Sequence, residues 1–233
     1  MKLLALDSTA RVASVALCDG GDLLGEFTIN NGNTHSETLL PMIEFLLKQF
    51  DMRVSDVDAF AVSAGPGSFT GVRIGAATVK GLAFASKKPC IGVSTLEALA
   101  KNPSQNGLIC PVMNARRNQV YTALFRAVDG KTERLMPDSA ISIEELDRVL
   151  EKYDEPVILC GDGYDITASQ LTHPITHISE RLRHQSAFNV ALCAMDMIAR
   201  GEASTDASLS PTYLRPSQAE RERNEKNNKT NEV

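Results

Sequence analysis

Two polar clusters in this sequence carry residue types able to hold an anion or a magnesium-bound phosphate. Asp7-Ser8-Thr9 follows the apolar run at 3–6 and sets a carboxylate beside two hydroxyls. Gly65-Pro66-Gly67-Ser68 follows the apolar run at 59–64 and precedes a helix of small and apolar residues. Gly65 and Gly67 reach backbone angles closed to other residues, and Pro66 fixes its own φ. A strand fed into a helix through such a loop leaves N–H groups at the helix start, where anions sit. Neither nucleotide motif is met. Three residues rather than four separate Gly67 from Gly71, Val72-Arg73 stands where Lys-Ser/Thr would follow, and the G-x-G-x-x-G pattern finds its third glycine one place late. The alternatives are a polar turn that satisfies its own backbone at residues 7–9 and a structural turn at 65–68. Both readings stand at this point.

Other reactive side chains offer less. His173 and His177 have ligand spacing, but Pro174 makes the segment a loop or strand, where a spacing of four does not align side chains. His35 falls in the first turn of a helix, whose dipole disfavours a cation, so an exposed or capping role is expected rather than a catalytic base. No Ser/His/Asp set is apparent. The five cysteines lie far apart with no C-x-x-C pair, which is the usage of buried thiols in a reducing cytoplasm. No catalytic residue and no metal ligand is assigned.

The elements that must position these residues follow from the pattern. Strands are expected at 2–7, 12–18, 22–29, 59–64 and 89–93, with a hairpin turn at Asp19-Gly20-Gly21. Thr34-x-x-Glu37 is a capping box opening a helix to about Phe50, with Pro41 expected to kink it or leave one bond unmade. At about 100° per residue, Leu39, Leu40, Ile43, Leu46, Leu47 and Phe50 form a stripe for the sheet, leaving Met42 and Phe45 on a flank. The helix at 71–86 contains Gly75 and Gly81, each costing roughly 1 kcal/mol relative to alanine. Close approach by another backbone would offset that cost. Two neighbouring helices with more apolar surface than one sheet covers predict a protein–protein interface. Its residues are Leu39, Met42, Ile43, Phe45 and Leu46 on the first helix, and Arg73, Ile74, Gly75, Thr78, Gly81 and Leu82 on the second. Phe45→Asp or Gly75→Leu is expected to abolish association and leave the monomer folded.

After the linker signal at 102–107 the pattern repeats. Strands are expected at 108–114, 119–128, 131–136 and 156–160, with helices capped by Ser142 and Ser186. The expected organisation is an N-terminal lobe at 1–104, a smaller C-terminal lobe at 105–214 with a cleft between, and a disordered tail at 215–233 that mixes both charges. The chain has 233 residues and a net charge of −5, which speaks against a broad nucleic-acid surface. No apolar run reaches the roughly 20 residues of a membrane span.

ALDSTARVASVAL, HSETLLP, AGPGSFTGVRIG and the late PTYLRP together resemble the bacterial TsaB (YeaZ) family. It belongs to the Gcp-like branch of the actin/sugar-kinase/Hsp70 ATPase superfamily. The resemblance is strong over 1–105 and weaker over 106–216. It implies an α/β fold of two RNase-H-like lobes with mixed sheets and flanking helices. It also implies a role in making threonylcarbamoyladenosine beside the anticodon of tRNAs reading codons that begin with A. The implied partners are the catalytic paralogue TsaD, as a heterodimer, and the ATPase TsaE. A homodimer is implied when TsaD is absent, with tRNA met only through the complex. TsaD carries a metal-binding His-x-x-x-His where this chain has Thr95 and Leu99, with Glu97 retained between them. Neither a hydroxyl nor an alkyl chain replaces imidazole. Where TsaD has a Ser-Gly-Gly phosphate loop, this chain has Asn114 to Asn118, with two arginines. The resemblance therefore implies a non-catalytic partner subunit with no cofactor on the isolated chain, and ATP or ADP only at a complex interface. Two competing readings stay open, an ATP-dependent small-molecule phosphotransferase using Asp7, Ser8, Thr9 and the loop at 65–68, and a tRNA-binding module.

Overall fold

Runs of apolar residues buried on both faces alternate with amphipathic helices and assemble into two five-stranded sheets. The structure, a computed structural model, describes residues 1–216. The expected disorder at 215–233 therefore lies, beyond its first two residues, outside the described residues. The first sheet holds β1 (Lys2–Asp7), β2 (Ala13–Asp19), β3 (Asp22–Ile29), β4 (Ala59–Gly65) and β5 (Cys90–Ser94) in the order β3-β2-β1-β4-β5. The second holds β6 (Gly107–Asn114), β7 (Gln119–Val128), β8 (Lys131–Ser142), β9 (Val157–Cys160) and β10 (Ile175–Thr176) in the order β10-β9-β6-β7-β8. In each, three antiparallel strands are followed by two that pair parallel. The two halves thus share one topology, that of a two-lobed α/β fold of RNase-H-like units.

Helices follow as α1 (His35–Lys48), α2 (Phe69–Ser86), α3 (Thr95–Ala100), α4 (Ile143–Leu150), α5 (Tyr164–Ala168) and α6 (Ala187–Ala199). Alternation along β1 sorts its side chains between two layers. Leu4 and Leu6 join Leu39, Met42, Phe60 and Val79 beneath α1 and α2. Leu3 and Ala5 join Ala187, Val190 and Ala194 beneath α6. The last helix was expected in the second lobe, yet it covers the first sheet. Small residues at Ala187, Ala191 and Ala194 let it lie close to that sheet, whose second face is otherwise bare.

Three expectations change on α1. The buried stripe is Leu39, Met42, Ile43, Leu46 and Leu47, the i, i+3, i+4, i+7, i+8 face. Met42, expected on the flank, is 2 % exposed. Leu40 lies about 100° around from Leu39 and is 55 % exposed, and Phe50 falls beyond the helix end at Lys48. Pro41 sits inside α1 without ending it. In the second half β8 runs six residues further than expected, to Ser142, while α5 and β10 are short elements the sequence pattern did not mark.

The segment after α6 returns across the first lobe. Ser204 pairs with Cys90 at the free edge of β5, with both backbone bonds formed. Leu209 enters the α1–α2 core, and Lys80 donates to its carbonyl at 3.1 Å. The Thr212 N–H donates to Ala64 O at 2.7 Å, and Arg215 donates to Ala115 O in the second lobe at 2.9 Å. This strap covers the exposed edge of a sheet and fastens one lobe to the other.

Candidate partner face and interlobe cleft

The carboxyl ends of β1, β4 and β5 point toward the second lobe, and the two polar clusters meet there. Asp7 accepts from Ser63 Oγ at 2.5 Å, from Thr9 Oγ1 at 2.8 Å and from Thr9 N at 2.9 Å. The Ser8 hydroxyl donates to Gly71 O at 2.9 Å, and Ser68 N donates to Thr9 O at 2.7 Å. Ser68 caps α2 by accepting from Gly71 N. Hydroxyls, carboxylate and two of the first N–H groups are engaged with one another, so the clusters join the β1–β2 turn to the start of α2. Burial raises the Asp7 carboxyl above its ordinary value, the bonds from Ser63 and Thr9 pulling the other way.

Glycine makes that junction possible. A β-carbon built on Gly71 would lie 2.0 Å from Ser8 O, and one on Gly75 would lie 2.6 Å from Ser8 Oγ. Close backbone approach to α2 occurs at Gly71, from the chain's own β1–β2 turn; of the two glycines for which it was expected, Gly75 faces the Ser8 and Val62 side chains and Gly81 faces nothing within 4 Å. Gly65 adopts φ +115°, and a β-carbon there would strike Thr212 O of the strap. His35 is neither free nor a cap. Its Nε2 lies 2.7 Å from Ala10 O, on the same turn.

Above this junction lies a cleft of about 560 Å³ between the lobes. Its wall includes Thr9, Arg11, Ser68, Phe69, Arg116 and Asp162. The β6–β7 loop on the far side has three consecutive left-handed residues, Arg116, Arg117 and Asn118, at φ +62°, +55° and +57°. Each non-glycine residue held there costs on the order of 1–2 kcal/mol. The Asn114 side chain supports the loop by accepting from Arg116 N at 2.8 Å.

Thr95 and Leu99 on α3 lie in the core, Leu99 with Leu96, Ile109 and Phe125. The Thr95 hydroxyl has no hydrogen-bond partner among the described residues. Glu97 is paired with Arg134 at 2.8 Å, and that guanidinium also stacks over Phe125. His173 and His177 diverge, one to Glu155 O and the other to the Tyr164 hydroxyl.

The expected partner residues divide into two groups. Leu39, Met42, Ile43 and Leu46 fill the chain's own core and cannot meet a partner. Gly75 is buried against Ser8, so Gly75→Leu would disturb the monomer rather than spare it. Ile74, Thr78 and Leu82 are half-buried, and Gly81 has nothing within 4 Å of a built β-carbon. Phe45 is 52 % exposed, its ring 5.3 Å from that of Phe27. Arg73 donates from Nε to the Tyr213 hydroxyl at 2.8 Å. Sequence reasoning missed Phe84, which is 73 % exposed on the outer face of α2, and misassigned Leu40. Counting Phe84 at helical spacing from buried Val79 and Ala83 would have placed it outward.

The chain matches the family described as TsaD: tRNA N6-adenosine threonylcarbamoyltransferase over residues 23–221. It is 31 % identical over 222 residues to the tRNA threonylcarbamoyladenosine biosynthesis protein TsaB of Bacillus subtilis, covering 94 % of this chain and 96 % of that one. Identity to the Escherichia coli TsaB is 36 % over 129 residues, 54 % of this chain and 55 % of the relative. The solved structure of YeaZ from Pseudomonas aeruginosa superposes with a TM-score of 0.80 at 30 % identity, covering 91 % of this chain and 99 % of that one. Among the described residues no helix is long and apolar enough to cross a membrane.

Proposed function

The chain belongs to the TsaB (YeaZ) family, and from that premise we propose that it serves tRNA threonylcarbamoyladenosine biosynthesis as the non-catalytic partner of TsaD. The modified base is the adenosine beside the anticodon of tRNAs reading codons that begin with A. The observation that carries this reading is the apolar outer surface of α1 and α2. Leu40, Phe45 and Phe84 are exposed there, and Gly81 leaves room for a facing backbone. Burying such side chains is worth roughly 1.5–3 kcal/mol each, enough to hold a partner helix pair. Without TsaD the same surface pairs two copies of the chain isologously. TsaE joins the assembled pair, tRNA is reached through it, and ATP or ADP is held only where a partner completes a site. The phosphotransferase reading has less support, since the Asp7–Thr9 and Gly65–Ser68 groups it needs are bonded to one another.

Size-exclusion chromatography of the purified chain with TsaD tests the proposal. The wild-type chain should co-elute with TsaD. Phe84→Asp should elute alone with its circular dichroism unchanged. A wild-type chain that never associates with TsaD, or a Phe84→Asp variant that still associates fully, overturns it.

A further inference from the structure

The arginines of this acidic chain are unevenly used. Arg126, Arg134, Arg148, Arg183 and Arg200 each face a carboxylate within 4 Å. Arg11, Arg53, Arg116, Arg117, Arg181 and Arg215 have no ion pair to a carboxylate among the described residues, and four of them, Arg11, Arg116, Arg117 and Arg215, belong to segments that border the cleft. Arg11 and Arg116 line the cleft from opposite lobes. Arg117 follows in the same left-handed loop, and Arg215 is brought beside it by its bond to Ala115 O. The four come from three separate elements, Arg11 from the β1–β2 turn, Arg116 and Arg117 from the β6–β7 loop and Arg215 from the strap, so the fold brings their positive charge to one place.

Aromatic rings lie on the same rim. Phe69 and Tyr213 stack with centroids 4.7 Å apart and planes 7° from parallel, and Tyr213 is 41 % exposed. Tyr121 and Phe69 also line the cleft. Positive charge interleaved with stacking faces fits single-stranded nucleic acid, whose phosphates pair with arginine and whose bases stack on rings. The floor suits an anion less well. Asp7 is buried there, Ser8 and Thr9 are already bonded, and Asp162 is the one carboxylate lining the cleft among the described residues.

We propose that the cleft mouth binds an unpaired stretch of RNA, with Arg11, Arg116, Arg117 and Arg215 on its phosphates and the Phe69–Tyr213 stack beneath a base. This rests on the reading that the chain works on tRNA within a TsaD complex. It makes the chain a direct contributor to holding tRNA in that complex. The net charge of the whole chain hides the site, because four of its 24 basic residues form it.

The test is tRNA binding by the reconstituted complex, followed by fluorescence anisotropy across a salt series. The Arg116→Ser, Arg117→Ser double variant should lower the salt slope by about 1.4, from two single-strand phosphate contacts at about 0.7 each, and weaken binding about tenfold at 0.15 M salt. Arg11→Ser, on a different element, should lower the slope by about 0.7. Arg116→Lys, Arg117→Lys should keep most of the affinity, and Tyr213→Ala should weaken binding with the slope unchanged. Chromatography of each complex establishes that it has assembled. Assembled complexes with wild-type affinity and slope in both the double variant and Arg11→Ser overturn the proposal and leave the partner role standing. Loss of Mg-ATP binding with tRNA binding intact also overturns it, in favour of a nucleotide site. A wild-type chain that does not join TsaD refutes the premise instead.

Discussion

Three glycines of α2 report separately on what that helix touches. Replacing any of them by alanine gains up to about 1 kcal/mol of helix propensity, so the sign of each outcome depends on the neighbour. At Gly81 the added methyl meets nothing within 4 Å. The gain stands whole, and the midpoint of thermal unfolding should rise by roughly 2–4 °C for a chain of this size. At Gly75 the methyl would lie 2.6 Å from Ser8 Oγ and 3.1 Å from Val62 Cγ2. Ser8 must then leave Gly71 O, losing about 1 kcal/mol, and the crowding adds about 1–3 kcal/mol. After the propensity gain the net loss is about 2 kcal/mol, a fall of roughly 4–8 °C. Gly71→Ala should cost more, because the contact there is with the Ser8 backbone and no rotamer relieves it. The assay is thermal unfolding by circular dichroism at concentrations where the chain is monomeric. Gly75→Ala as stable as Gly81→Ala, or Gly81→Ala less stable than wild type, would refute the assignment of α2's inner and outer faces.

Asp7 supplies a pH signature. Its folded pKa is raised by burial, so the folded state binds the proton more tightly than the unfolded chain. Its ionisation costs stability at neutral pH, and that cost fades as pH falls through the folded pKa toward 3.8. Asp7→Asn retains an oxygen for Thr9 and offers an amide to Ser63, whose hydroxyl can turn to accept. It should be at least as stable as wild type at pH 7 in urea titrations, with the advantage shrinking toward pH 4. An advantage that grows on acidification contradicts this. The thiols give a simpler check. All five cysteines are buried and free, and burial pushes Cys18 up to about 11, Cys110 and Cys193 to about 12, and Cys160 further still. A disulfide reagent at pH 8 should find no thiol in the native chain and five after unfolding, so prompt native reaction would show the lobes to be more open than described.

Most of the architecture could be read from residue pattern because it rests on local signals. Ser142 and Ser186 each cap a helix as expected, and Thr34 with Glu37 forms the predicted box. What could not be read is where faces go in three dimensions. The assignments of Met42 and Leu40 turned on about 100° of helix rotation, and on α2 standing beside α1 to close the flank. The polar clusters stand out in the sequence, but a sequence does not say whether two sets of donors and acceptors serve a ligand or each other. Here Ser8 to Gly71 and Ser68 to Thr9 join them. The arginines at the cleft mouth were invisible for a related reason. Residues 11, 116, 117 and 215 are scattered along the chain, and only the strap and the hairpin loop bring them together.

The dependence of the first sheet on α6 and the strap has a bearing on synthesis. One face of that lobe's sheet is covered by α6 and the core on the other takes in Leu209, so a ribosome must make nearly the whole polypeptide before the earlier half can be completed. The later half, whose strands and α4 and α5 are contiguous between 107 and 176, is free to finish first. A fragment ending near residue 104 would leave the apolar side of β1, β4 and β5 uncovered and is expected to aggregate rather than fold.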